Sequence, residues 1–267
     1  MVDFDARRAQ QKNRIRRRGI YLLPNLFTTA ALFGGFYAIV QAMNQRFDQA
    51  AVAIFVAMVL DGLDGRVARL TKTQSALGVQ LDSLADVISF GVAPAVLVYR
   101  WSLASLDLLG LFACFAFVAA GVVRLARFNV LTTNEAGAPK KAGKYIVGLP
   151  IPGAAGILVS LVVANHSIGG SLGERPFLLL SVVLLLSVCM VSTIRFRSFK
   201  DFRLTGRTLA FIALAVTSTV VVAVQVKPAF ALVWLMAWYV LIGLCEAALG
   251  LWLRTTRRSE REAPRES

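Results

Sequence analysis

Charge is scarce in this chain: 16% of its 267 residues are Asp, Glu, Lys or Arg, while 57% are apolar. So little charge excludes a water-soluble domain and points to an all-α polytopic membrane protein. Histidine and cysteine are nearly absent. The one histidine, His166, falls in a predicted external loop, and Cys114, Cys189 and Cys245 all fall inside apolar blocks without paired spacing. The cysteines read as small packing residues, and so few scattered His and Cys argue against zinc or copper ligation. Long hydrophilic stretches are missing too. The longest polar connection runs from Asn129 to Tyr145, too short for a separate soluble domain.

What fills the chain is a series of apolar blocks near residues 21–43, 49–70, 78–99, 106–128, 148–165, 176–194, 208–226 and 229–253. Each has roughly the length of a helical membrane span, so eight spans are expected. Acidic residues are few, and the net charge is +14. The basic residues test the count, because Lys and Arg concentrate in cytoplasmic segments. Of 29, 25 lie before the first span, after the last, or in the connections following spans 2, 4 and 6. Both termini are therefore expected in the cytoplasm. The organisation expected is a basic arm over 1–20, one membrane domain over 21–253 and a charged tail over 254–267, with no internal repeat. The basic arm suits topogenesis and anionic lipid heads. Nucleic-acid binding is not expected, since no recognition motif accompanies the charge.

Against this background four aspartates stand out: Asp61 and Asp64 in the second block, Asp82 and Asp86 in the third. Ionisable side chains within spans are costly and mark functional sites. On a helix, Asp61, Asp64, Gly65 and Ala68 fall within about 100° of one face, with Arg69 at its margin, and Gly78, Asp82 and Asp86 form one stripe. Spans 2 and 3 are antiparallel neighbours, so Asp61 and Asp86 are expected at similar depth, and Asp64 with Asp82 nearer the surface. Four converging carboxylates need a cation between them. An all-oxygen donor set suits Mg²⁺ or Mn²⁺, and two ions would polarise a phosphoryl group. Gly65, Ala68 and Gly78 leave room for a nucleotide to approach the helix backbone, although small residues also serve close helix packing. Arg69 can neutralise a phosphate. A divalent-cation transporter is the competing class, but its acids would be expected near the bilayer midplane on broken helices. These cluster toward one membrane face.

Asp61, Asp64, Gly65, Ala68, Arg69, Gly78, Asp82 and Asp86 spell D-x2-D-G-x2-A-R-x8-G-x3-D-x3-D. The pattern resembles the signature of the CDP-alcohol phosphotransferase family at all eight fixed positions. The resemblance implies transfer of a phosphate-linked group from a CDP-linked donor to an alcohol, with release of CMP. It also implies that Asp61, Asp64 and Asp82 bind metal and that Asp86 both binds metal and acts as general base. The segments 89–95, 124–130 and 148–153 resemble the bacterial and archaeal phosphatidylserine synthase branch. That implies CDP-diacylglycerol and L-serine as substrates at the cytoplasmic face of the cell (inner) membrane, and a homodimer, as relatives commonly form. Arg124 and Arg127 are candidates for holding the serine carboxylate, or are ordinary cytoplasmic anchors. They would hold a phosphate equally well, so glycerol-phosphate, inositol-phosphate and choline stay open as acceptors. Asn25, after Pro24, is a candidate for the cytosine or for a helix start. Glu246 is a lone acid in the eighth block with no role assigned.

Overall fold

The computed structural model describes residues 25–71, 75–132, 145–192, 195–197 and 217–219. Helix α1 spans Asn25–Met43 and α2 Phe47–Thr71, joined by a turn at which Gln45 takes a positive φ of 61°. Helix α3, Ala76–Asp86, runs through a π-helical segment, Val87–Val92, into α4, Ala93–Trp101. A 3-10 turn at Leu103–Leu106 leads to α5, Asp107–Thr132. Helix α6 covers Ile151–Ile168 and α7 covers Pro176–Val191. Among the described residues, three stretches are long and apolar enough to cross a membrane: Asn25–Met43, Leu77–Trp101 and Leu103–Leu131.

The helix boundaries fall close to the first six apolar blocks, although only three of these stretches meet the length and apolarity of a membrane span. The seventh and eighth, with Cys245 and Glu246, lie outside the described residues except for a helical turn at 217–219. One expectation needs correction. Asn129 was expected in a polar connection, but α5 continues to Thr132 and holds it within the helix. The described elements are otherwise helical, as expected, apart from one short pairing. Tyr145–Val147 pairs antiparallel with Arg195–Arg197, Tyr145 opposite Arg197.

Helices α1, α2 and α6 meet through small side chains. Ala38, Ala50, Ala57, Ala154 and Ala155 are fully buried, and a Cβ on Gly34 would come within 3.1 Å of the Ala57 Cβ. Close backbone approach supplies the contact area that large apolar side chains provide in soluble cores. Helices α5 and α7 pack with larger side chains, among them Phe117, Leu179 and Met190. Phe33, Phe36, Phe112, Phe115 and Phe177 point outward, as suits a lipid-facing surface.

The passes alternate in direction, and cross-links mark two ends. At one end Ser102 donates to the Gly173 carbonyl at 2.6 Å, and the Leu172 amide donates to Asn165 Oδ1 at 2.8 Å. At the other lie the starts of α1, α3 and α6 and the ends of α2, α5 and α7. All four aspartates belong to that second end.

Candidate active site

Helix α2 is well begun, with Asp48 in its first turn complementing the helix dipole. It carries Asp61 and Asp64 on its last turns. Helix α3 starts at a Ser75 N-cap whose hydroxyl accepts from the Gly78 amide at 3.0 Å. That cap fixes where α3 begins, and so the height of Asp82 and Asp86 beside α2. One carboxylate oxygen from each of Asp61, Asp64 and Asp82 lies within 4.8 Å of the others. Asp61 is also within hydrogen-bonding reach of both Asp82 and Asp86.

Two unit charges 4 Å apart repel by about 4 kcal/mol at an effective dielectric near 20. Such a cluster therefore needs protons or a cation. The donor set is all oxygen, which fits a hard divalent ion. Asp86 adds a second sign of fit: its Oδ1 is buried with no hydrogen-bond partner among the described residues. A buried acceptor of this kind costs free energy unless something else satisfies it.

The small residues divide. A Cβ on Gly65 would meet nothing within 4 Å, so α2 presents open backbone beside Asp64. At Gly78 the added Cβ would stand 3.1 Å from the Ser75 hydroxyl and 3.5 Å from Asn25 Oδ1. The start of α1 and the start of α3 are thereby adjacent, and Asn25 faces Gly78. Ala68 and Arg69 belong to α2, but their side chains lie outside the described residues.

The two arginines of α5 also part company. Arg124 is buried, lies within electrostatic reach of Asp86, and has its guanidinium 5.4 Å from the Phe128 ring centroid. Arg127 instead donates to the carbonyls of Val191 at 3.0 Å, Ser192 at 3.2 Å and Met190 at 3.4 Å. It caps the C-terminus of α7, where carbonyls lack helical partners and a cation is favoured. His166 sits near the end of α6, at the opposite end of the bundle.

A sequence model of the CDP-alcohol phosphatidyltransferases matches residues 21–194. The chain belongs to that family. A CDP-diacylglycerol–serine O-phosphatidyltransferase of Helicobacter pylori is 40% identical over 185 residues, which cover 69% of this chain and 75% of the relative. The protein of that name from Bacillus subtilis is 33% identical over 178 residues, 67% of this chain and 91% of the relative. An archaetidylserine synthase of Methanothermobacter thermautotrophicus is 34% identical over 180 residues, 65% of this chain and 69% of the relative. As a CDP-alcohol phosphatidyltransferase the protein is a membrane enzyme, and the aspartate cluster is its candidate active site.

Three polar residues at this CDP-alcohol phosphatidyltransferase site were given no role from the sequence, although Ser89 and Asn129 lie in the resembling segments 89–95 and 124–130. Thr28 donates to Asp64 Oδ2 at 2.7 Å, Asn129 Nδ2 donates to Ser83 Oγ at 2.9 Å, and Ser89 donates to the Ala31 carbonyl at 3.1 Å. One signal was available. Thr28 and Ser89 are polar side chains in apolar stretches, and buried polar groups require partners.

Proposed function

We propose that the protein transfers the phosphatidyl group of CDP-diacylglycerol to L-serine, giving phosphatidylserine and CMP. The observation that carries this reading is the convergence of Asp61, Asp64, Asp82 and Asp86 at one end of the bundle, in the order of the family signature. The choice of serine is supported by the names of the relatives. The site is placed at the cytoplasmic face of the cell membrane, which the distribution of basic residues supports, and the protein is read as a homodimer by resemblance to its family.

In this reading Asp61, Asp64, Asp82 and Asp86 hold Mg²⁺ or Mn²⁺, two ions in all. When bound, the metal supplies Lewis-acid polarisation of the phosphoryl oxygens and charge stabilisation at the entering and leaving oxygens. Asp86 takes the hydroxyl proton of serine as the serine oxygen forms its bond to the phosphorus bearing diacylglycerol. The bond from that phosphorus to the CMP oxygen breaks. Asn25, Gly65, Ala68, Arg69 and Gly78 receive the CDP moiety, the glycines by leaving backbone uncovered and Arg69 by pairing with phosphate. Arg124 holds the serine carboxylate, which puts the acceptor next to Asp86. Arg127 shapes the neighbouring wall by fixing the end of α7.

The test is purified protein with CDP-diacylglycerol and Mn²⁺ or Mg²⁺, offered serine, glycerol-phosphate, inositol-phosphate or choline. CMP release with serine, and phosphatidylserine as the lipid product, is expected. Use of another alcohol alone would replace the acceptor and keep the chemistry. Movement of Mg²⁺ across vesicles without CMP release under any condition would replace the enzyme by a transporter.

A further inference from the structure

Asp82 and Asp86 are on a helix that does not continue regularly. Directly after Asp86 the backbone enters the π-helical turn Val87–Val92, and the Ala93 amide reaches back five residues to the Ile88 carbonyl. In a continuous α-helix Ala93 and Leu97 would fall within about 20° of Asp86. Both are fully buried, so one helix face would have to serve the carboxylates and the apolar packing together. Adding one residue to the turn delays the phase by roughly 100°. Carboxylates and packing stripe then address different neighbours.

Such a turn holds its setting only if something outside it fixes the rotation. Ser89 lies inside it, 1% exposed, with its hydroxyl donated to the Ala31 carbonyl of α1. Four residues on, Gly35 leaves no gap against it: a Cβ there would stand 2.6 Å from both Ser89 Cα and Ser89 Oγ. Backbone therefore meets backbone between α1 and the turn. Three residues before Ala31, Thr28 of α1 donates at 2.7 Å to Asp64 of α2. The two cross-links leave α1 about 4.5 Å apart along its axis, one to each carboxylate-bearing helix.

We propose that α1 sets the register between the two carboxylate helices, with Thr28 positioning Asp64 directly and Ser89, anchored on Ala31 and seated on Gly35, positioning Asp86 through the π turn. Neither residue is in the eight-position signature. Helices α2 and α3 are joined at their site ends by a short connection, which leaves room for a third helix to fix their mutual rotation. Helix α1 contacts both and supplies a donor to one and an acceptor to the other. The inference rests on the reading that the aspartates bind divalent ions.

The experiment uses the full-length protein in detergent, with Mn²⁺ binding followed by electron paramagnetic resonance alongside steady-state kinetics. Loss of a partner that orients a liganding group weakens metal binding by about tenfold or more. That loss is expected for Thr28→Val and for Ser89→Ala, with kcat reduced while KM for serine stays near its parent value, and Thr28→Ser should restore both. Ser102→Ala is the comparison, since it removes another serine-to-carbonyl bond at the far end. It should leave Mn²⁺ affinity unchanged. Parent-like Mn²⁺ affinity in Thr28→Val and Ser89→Ala, or an equal loss in Ser102→Ala, would overturn the inference alone. Should Ser89→Ala not fold, Thr28→Val decides, because its hydroxyl touches the carboxylate itself. No Mn²⁺ binding by the parent protein would remove the metal reading and this inference together.

Discussion

The two ends of the bundle solve the same problem differently. At the far end most polar groups are paired off: Ser102 with the Gly173 carbonyl, Asn165 with the Leu172 amide, and the end of α6 with a left-handed Gly169 whose amide bonds back to His166, while the neutral amide oxygen of Gln41 is buried without a partner among the described residues. At the site end three carboxylates crowd within 4.8 Å and a buried oxygen of Asp86 has no partner among the described residues. A buried carboxylate oxygen left without a partner costs more than a neutral amide oxygen such as that of Gln41, so the crowded acids of the site end are the feature that calls for a function. The difference separates structure-holding contacts from chemistry-bearing ones, and substitution can test each side.

The largest effect is expected at the unsatisfied acceptor itself. Asp86→Asn removes the proposed base and one metal donor while keeping shape, so CMP release should fall by at least about 10²–10⁴-fold. Membrane insertion and detergent-extracted yield should hold. Turnover near the parent rate would take Asp86 out of the mechanism.

Next come the two arginines, which sharpen the contrast within a single helix. Arg124→Ala should raise KM for serine by roughly ten- to a hundredfold, the equivalent of about 1.5–3 kcal/mol for a charge-assisted bond. KM for CDP-diacylglycerol should move far less. Arg127→Ala should instead lower thermal stability, by about the same energy, because three carbonyls at the end of α7 lose their donor. Serine KM falling or rising equally in both variants would make the arginines one functional unit after all.

How much of this was legible in the sequence depends on the kind of signal. The convergence of Asp61, Asp64 and Asp82 was readable because helix periodicity and a short connection leave few ways to place them. The helix boundaries of the described part were readable because hydrophobic length is a blunt signal. The parting of Arg124 and Arg127 was not: at a separation of three they share a helix side, and only the positions of α3 and α7 tell their partners apart. Asn129 looked like loop because it precedes a run of polar residues, yet its bond to Ser83 keeps it on α5. The π turn after Asp86 left no trace in composition, since it is a change of hydrogen-bond register. The pairing of Tyr145–Val147 with Arg195–Arg197 was hidden by its length, three residues being too few for alternation to register.

The smallest expected effects come from two left-handed glycines, one at each end. Gly169 has φ +61° and an added Cβ would meet nothing within 4 Å. Gly169→Ala therefore pays only the backbone cost of the left-handed region, about 1–2 kcal/mol, and should lower the melting temperature without touching kcat or KM. Gly148 has φ +81°, and there a Cβ would also collide with the Met190 carbonyl oxygen and come within 2.9 Å of Arg127 Nη2. Neither neighbour moves freely, because the Leu149 amide donates to the Cys189 carbonyl at 3.0 Å and Arg127 is held by the end of α7. Gly148→Ala should thus cost more stability than Gly169→Ala, since the end of α7 and Arg127 must both shift to admit the Cβ. Equal melting temperatures in the two variants would show that the site end tolerates displacement as readily as the far end, and the contrast between them would lose its mechanical basis.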